Sequence, residues 1–315
     1  MRDRHEEDLL AHVEQNPSTS TRRAARRFGL SPSVVWRVWK RNGLSPYHRT
    51  KVHKLYDRDH EPRRDFSEWY HEQVVANPDF SSLVMFTDES KFNQDGIFNS
   101  KNNICWTNGN THEVYEQGRQ DKFSVNVWAG ILGDQLIGPY ILPDNLNGRS
   151  YQIFLTEVLP ELLENVPLDV RNNMWLQQDG APPHYARVAR NYLDQANPNR
   201  WIGRLGPIRW PARSPDLNTL DFFFWGRMKE LVYSTPVVDQ MDLVARIAVA
   251  AQQIQDTVGI FASVREGMLR RCNACIEANG ENFEHLLCFF FLNKWCSFVL
   301  AFFGGALIII NIVQE

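Results

Sequence analysis

The sequence predicts an α/β protein, with a small all-α head followed by a mixed sheet flanked by helices. Two observations lead there. Apolar runs of strand length recur between residues 83 and 210, bounded by Gly, Pro and Asp, whereas residues 5–43 and 236–285 space their apolar residues at helical intervals. Charge is also segregated: from Pro17 to Lys54 there are ten Lys or Arg and no Asp or Glu, in a chain whose net charge is -3. A basic head on an otherwise acidic body points to a polyanion partner for one part only. A length of 315 residues, 43% apolar, suits a head plus a larger core.

In order along the chain, Leu9, Leu10 and Val13 define a first helix that Asn16-Pro17 stops. Ser18 to Thr21 offer N-caps for a second helix through Ala24, Ala25 and Phe28, ended by Gly29. Ser31 caps a third, with Pro32 at its first position. Helix, glycine turn and capped helix form the pattern of a helix-turn-helix. The third helix buries Val34, Val35, Val38 and Trp39 and leaves Ser33, Trp36, Arg37, Lys40 and Arg41 for a DNA groove. Arg22, Arg23, Arg26 and Arg27 on the helix before it, and Arg49 and Lys51 after it, are candidate phosphate contacts. The competing reading is a solvated basic face; ten cations without one acid favour DNA.

Residues 56–80 read as a helix through Phe66, Trp69, Tyr70 and Val74. Strands are expected at 83–87, 104–107, 123–131, 136–142, 175–178 and 207–210, with a helix over 150–165 and helices packing on the core from 236 to 285. The expected organisation is a DNA-binding head over 1–48, linker and helix over 49–80, core over 81–235, C-terminal helices over 236–287 and an apolar tail over 288–315. Within that tail, residues 295–313 hold nineteen uncharged residues, enough for a membrane-spanning helix. Read-through into flanking sequence, a tail anchor and a buried helix are the three readings, and membrane association is the least expected role.

Five cysteines at irregular spacing do not make a secreted disulfide framework, and Leu9 and Leu10 flanked by acids do not make a signal peptide. Cys272 and Cys275 form a lone CxxC in a helical stretch, read as a helix face more readily than as a metal or redox pair.

Three acids stand out. Asp88 follows apolar Leu83–Phe86, Asp179 follows a short strand and precedes a Gly-Pro-Pro turn, and Asp221 opens an aromatic helix after a proline-punctuated loop. Carboxylates delivered by separate elements are what a hard cation requires, and paired divalent ions suit phosphoryl transfer. The ordinary alternatives are a turn at Asp179-Gly180 and a first-turn helix acid at Asp221. Asp216 competes as third ligand but follows Pro215 and reads as a cap. Glu89 would face away from Asp88 if the strand continues. His184 reads as a structural residue at a helix N-terminus in preference to a DNA or water contact.

The blocks FTDES, VNVWAGI, QQDGAPPH and SPDLNTLDFFFWG resemble, in order, the catalytic core of Tc1/mariner transposases, with Asp88, Asp179 and Asp221 at the positions of its acidic triad. The resemblance runs over roughly residues 5–285 and is similar to the triple-aspartate branches. It implies an RNase H-like core and catalysis by those three aspartates; phosphodiester chemistry itself calls for two Mg²⁺ ions held by the three, with Mn²⁺ as substitute because it too favours oxygen ligands, and Asp88, on the most apolar strand, as the bridging ligand. It further implies double-stranded DNA partners (terminal inverted repeats and a TA target), a homodimer and a nuclear location. Two features depart from the pattern: the head resembles only the second of two helix-turn-helix units, and Thr219 stands where proline is usual, loosening the turn before Asp221. The alternative these departures favour is a decayed or co-opted copy that only binds DNA.

Overall fold

The computed structural model describes residues 2–46, 52–96, 123–287, 298–303 and 306–311; the expected strand at 104–107 and the candidates Arg49 and Lys51 lie outside them. The chain divides into two compact units, residues 1–51 and 52–315. In the first, α1 (Arg2–Gln15), α2 (Thr21–Phe28) and α3 (Pro32–Arg41) surround Leu9, Ala24, Ala25 and Val35. The capping is as the sequence predicts: Ser20 Oγ accepts from Arg23 N at 3.2 Å and Ser31 Oγ from Val34 N at 3.3 Å. Gly29 takes the left-handed φ of 63° that lets α2 turn directly into α3.

In the second unit, α4 (Asp57–Ala76) and the single turn α5 (Phe80–Leu83) lead into β1 (Val84–Asn93). Strands β2 (Ser124–Leu132) and β3 (Gln135–Leu142) follow as an antiparallel meander. A helical segment comes next: α6 (Gly148–Ile153), a π-helical turn over Phe154–Val158, and α7 (Leu159–Leu162). Then come α8 (Leu168–Asn173), β4 (Trp175–Gln177), α9 (Arg187–Ala196), β5 (Trp201–Gly203) and β6 (Ile208–Arg209). A 3₁₀ turn at Pro215–Leu217 and a π-helical turn at Leu220–Phe224 open α10 (Trp225–Val232), before α11 (Gln240–Gln255) and α12 (Ile260–Glu277).

The six strands form one mixed sheet in the order β3-β2-β1-β4-β5-β6, with β1, β4, β5 and β6 parallel and β2 antiparallel to both neighbours. Alternation along β1 splits the core between the two faces. Val84, Phe86 and Phe92 join the larger apolar cluster, which includes Phe66, Tyr70, Phe224, Ile247 and Met268 from the helices. Met85 joins the second, with Trp128, Tyr151, Phe154 and Leu193. Cys272 and Cys275 are fully buried free thiols on α12, as a helix face requires.

The structure corrects several expectations. Strand β1 does not stop at Thr87 but runs to Asn93, because Asp88 to Asn93 pair in register with Ala129 to Ser124 of β2. The helix expected over 150–165 is interrupted by a π-helical turn. Strand β5 was not expected at all. In the tail, Phe298–Phe303 (β7) and Ala306–Asn311 (β8) form an antiparallel pair instead of a helix, and among the described residues no helix is long and apolar enough to cross a membrane.

Candidate active site

Beside the central strand lies a cleft of about 840 Å³ whose lining includes Asp88, Asp179 and Asp221. The fold brings the three predicted acids together from three elements. Asp88 sits mid-strand in β1, Asp179 lies just past the end of the adjacent parallel strand β4, and Asp221 lies in the π-helical turn that opens α10. Thr87 fastens the first two elements: its N–H donates to Gln177 Oε1 at 3.1 Å and its hydroxyl to the Gln177 carbonyl at 2.6 Å. Asn218 fastens the third. Its Nδ2 donates to the Thr87 carbonyl at 3.2 Å while its Oδ1 accepts from Leu220 N at 3.0 Å, so one side chain ties the start of the π-helical turn to the residue before Asp88.

The π-helical turn is closed by Trp225 N–H donating to the Leu220 carbonyl, five residues back, and inserts an extra residue in the helix at the point that carries Asp221. Its consequence is a buried indole under Asp88: Trp225 Nε1 donates to Asp88 Oδ2 at 2.7 Å. The element that supplies the third acid therefore also orients the first.

Asp179 is held at Oδ1, which accepts from Ala181 N at 2.8 Å and lies 2.5 Å from His184 Nδ1. His184 is 2% exposed, packs on Tyr151 at 4.4 Å between ring centres, and places Nε2 3.3 Å from Glu89 Oε1. It precedes α9 by a turn and is no helix-terminal residue; it is a cation wedged between two carboxylates. Burial opposes its charge, but Glu89 and Asp179 outweigh this and push its pKa up to about 10. Glu89 lines a second cavity with His184, on the far side of β1 from the cleft, as strand alternation predicts.

Burial raises the Asp88 carboxyl to about 8, with the charges of Asp221 and Glu89 adding to it and the indole bond opposing. Asp221 is raised to about 6 by desolvation within the cleft and then by Asp179. Asp179 runs the other way: desolvation would raise it, and the His184 bond and charge bring it below its ordinary value. Acid repulsion concentrates on Asp88 because it is the deepest of the three and gives up its proton last.

Asp216 is not a ligand candidate. It forms a two-pronged ion pair with the fully buried Arg63 of α4, Nη1 to Oδ1 at 2.8 Å and Nη2 to Oδ2 at 2.6 Å. Arg63 also donates to Ser214 Oγ at 2.8 Å and to the Gly280 carbonyl at 2.9 Å, so one guanidinium fixes the loop that leads to Asp221. Asp59 binds Arg213 of the same loop.

Among the described residues, no group of three or more His, Cys, Asp or Glu side chains stands ready-made to enclose a metal ion. The acids share a cleft without forming a finished ligand shell. Sequence reasoning missed Trp225 and Arg63. A tryptophan four residues after Asp221 on a helix lies on the same face, and that was a usable signal; Arg63 offered none. In the head, Arg22, Arg23, Arg26, Arg27, Ser33, Trp36, Arg37, Lys40 and Arg41 are all exposed, Trp36 by 52%, although Arg41 lies 3.6 Å from Glu6.

The sheet order and flanking helices define the class as RNase H-like α/β. No protein-family model matches the chain. It is 25% identical over 209 residues to the Tc3 transposase of Caenorhabditis elegans, covering 66% of this chain and 58% of that protein, so the chain spans under two thirds of that relative's length. It is 25% identical over 220 residues to the Tcb1 transposase of Caenorhabditis briggsae, covering 68% and 74%. Among solved structures, the Mos1 transposase paired-end complex with left transposon end superposes with a TM-score of 0.70 at 17% identity, over 89% of this chain and 80% of that one. The catalytic domain of Mos1 mariner transposase gives 0.56 at 18% identity, over 75% and all of its length. The chain is thus similar in sequence to the Tc3 and Tcb1 transposases and in fold to the Mos1 mariner transposase.

Proposed function

We propose that the chain is a metal-dependent DNA transposase, cutting DNA at element ends and joining the freed 3′ end to a target. The observation that carries this is the convergence of Asp88, Asp179 and Asp221 from three elements on one cleft. Solved Mos1 complexes with Mg and with Mn share the fold and lend support.

The donor set fits hard divalent cations. It is all carboxylate, it includes two acids raised above their ordinary values, and it leaves room for water and substrate oxygens, which Mg²⁺ retains in its shell. Asp88, Asp179 and Asp221 would hold two Mg²⁺ ions, or Mn²⁺, which when bound lower the pKa of a nucleophilic hydroxyl or water and neutralise the leaving oxygen. The chain's own residues supply the positioning. Trp225 fixes Asp88, His184 and Ala181 fix Asp179, and Arg63 with Asn218 fixes the loop and turn that carry Asp221. The indole bond to Oδ2 and the imidazole bond to Oδ1 set carboxylate rotation before substrate arrives, which is how a site is preorganised.

Residues 1–48 are proposed as the DNA-binding head, in helix-turn-helix form, and 81–235 as the catalytic core. On α3, Ser33, Trp36, Arg37, Lys40 and Arg41 would meet base edges and backbone in the groove, with Arg22, Arg23, Arg26 and Arg27 on phosphates. Element ends, target DNA, a homodimer and a nuclear location belong to the same proposal.

Incubating the full chain with supercoiled plasmid and Mg²⁺ or Mn²⁺, beside Asp179→Ala, tests it. Metal-dependent nicked product from the wild type alone supports the reading; no product from either leaves only a DNA-binding protein.

A further inference from the structure

A cleft lined by three acids repels the polyanion it is meant to admit, so the opposite charge must come from somewhere on its rim. Four arginines line the cleft itself: Arg58, Arg204, Arg209 and Arg213. Two of the arginines are already engaged, Arg213 with Asp59 and both Arg213 and Arg58 over the Tyr56 ring, at 4.8 and 5.3 Å. Arg204 and Arg209 are different. Both are exposed, and neither pairs with a carboxylate among the described residues.

Their backbone positions follow from the sheet. Gly203 of β5 is in register with Arg209 of β6, so Arg204, the next residue, leaves the sheet beside Arg209 at the end of the parallel strands. The Arg204 guanidinium lies over the Tyr185 ring, 4.3 Å from its centre, and its aliphatic stem runs along Gly180, the residue after Asp179. Tyr185 is itself braced, its carbonyl accepting from Arg190 Nε at 3.0 Å. A guanidinium lying over an aromatic ring gives up part of its rotamer freedom in advance and keeps its N–H fork for two oxygens of one anion.

We propose that Arg204, with Arg209 beside it, is a phosphate-binding rim of the cleft that grips the DNA strand presented to Asp88, Asp179 and Asp221. The proposal rests on the nuclease reading above. It assigns the rim to backbone phosphates and not to bases, so it holds the strand without regard to sequence. The ring under Arg204 sets its reach, and Gly180 allows the stem to pass close to Asp179.

The test uses the full chain and a fluorescein-labelled oligothymidylate, read by anisotropy across a salt series, for wild type, Arg204→Gln, Arg204→Lys and Arg204→Gln/Arg209→Gln. The head contributes equally to all four. Arg204→Gln is expected to weaken binding about tenfold, the size of one charge-assisted contact, and to flatten the slope of log affinity against log salt by about 0.7. Arg204→Lys should keep the slope and lose part of the affinity. Unchanged affinity and slope in both glutamine variants would overturn the rim. Plasmid nicking runs alongside. If the wild type nicks and the glutamine variants match it in KM and binding, the rim falls while the nuclease reading stands; if nothing nicks but the slopes change, the reverse holds.

Discussion

The acidic cleft should cost the metal-free protein stability, and Asp88→Asn measures how much. Asparagine keeps the shape, and its Oδ1 can still accept the Trp225 indole N–H, but it removes the charge. The Asp88 carboxyl moves from an ordinary 3.8 to about 8 on folding. A pKa raised in the folded state gives stability that is fully present below the unfolded value and lost as pH rises towards the folded one. Between about pH 4 and pH 8 the wild type should therefore weaken, and Asp221, raised to about 6, adds to the slope in the lower part of that window. At about 1.36 kcal/mol per unit the shift sets a ceiling of roughly 6 kcal/mol. Water entering an open cleft and relaxation of the carboxylate reduce this, and about 2 kcal/mol is expected near neutral pH, or a rise of about 4–8 °C in Tm.

Thermal melts in EDTA at about pH 4 and pH 7 check the effect. The variant should melt higher than wild type near pH 7, with the gap closing towards pH 4. Millimolar Mg²⁺ should then raise the wild-type Tm and leave the variant unmoved, because the missing charge is the one the ion needs. A variant that melts at or below wild type near pH 7 would refute the reasoning, since a buried Asp88 charge beside Asp221 and Glu89 would not then be costing stability. His184, whose stability contribution is present below about 6.5 and is lost as pH rises through about 10, confines the clean comparison to the acid side.

Three further outcomes follow from the same contacts. Thr219→Pro should stabilise by about 0.4–1 kcal/mol: Thr219 already has φ -61° and a buried hydroxyl with no partner, and Asn218 before it is extended; a lower chemical-denaturation midpoint would contradict this. Arg63→Ala should cost about 3–5 kcal/mol by leaving Asp216 uncompensated, whereas the double change to Met at 63 and Leu at 216 should recover much of the stability but not the nicking activity. Trp225→Phe keeps the ring and loses the N–H; it should raise the Mg²⁺ concentration needed for half-maximal nicking by several-fold while changing Tm little, and an unchanged metal requirement would remove Trp225 from the positioning set.

What the sequence disclosed divides by range. Local signals were legible: Ser20 and Ser31 as caps, Gly29 as the turn, the strand before Asp179 and the alternation that sends Glu89 away from Asp88. Strand β5 was not, because three residues between an Arg and an Arg-Leu-Gly turn are too few to display a period, and its existence depends on parallel partners on both sides. The full length of β1 is not legible because Glu89 to Lys91 are polar, and only pairing with β2 makes them strand. Arg63 and Asp216 lie 153 positions apart, and nothing local in either segment marks the other as its partner. In the apolar tail the sequence offers only length and hydropathy, which do not distinguish a spanning helix from a pair of strands.

Each of the two deeper acids is held by a buried ring N–H donor, Asp88 by an indole and Asp179 by an imidazole, and the donors differ in charge for a reason the sheet supplies. Asp88 is flanked by Asp221 and Glu89, so a cationic donor there would neutralise the very field that must attract a divalent ion; neutral Trp225 orients without competing. Asp179 is the most open of the pair, and its neighbour His184 also faces Glu89, whose charge on the other side of β1 would otherwise be left unbalanced next to a buried ring. His184→Gln should accordingly affect two things at once: it should free Asp179 to rotate and leave Glu89 without its cation. Glu89→Gln in the same chain should restore stability without restoring Asp179's orientation, so Tm should recover while nicking stays low. Recovery of both would mean that His184 serves only to balance charge, and failure of both would mean that its packing on Tyr151 is what matters.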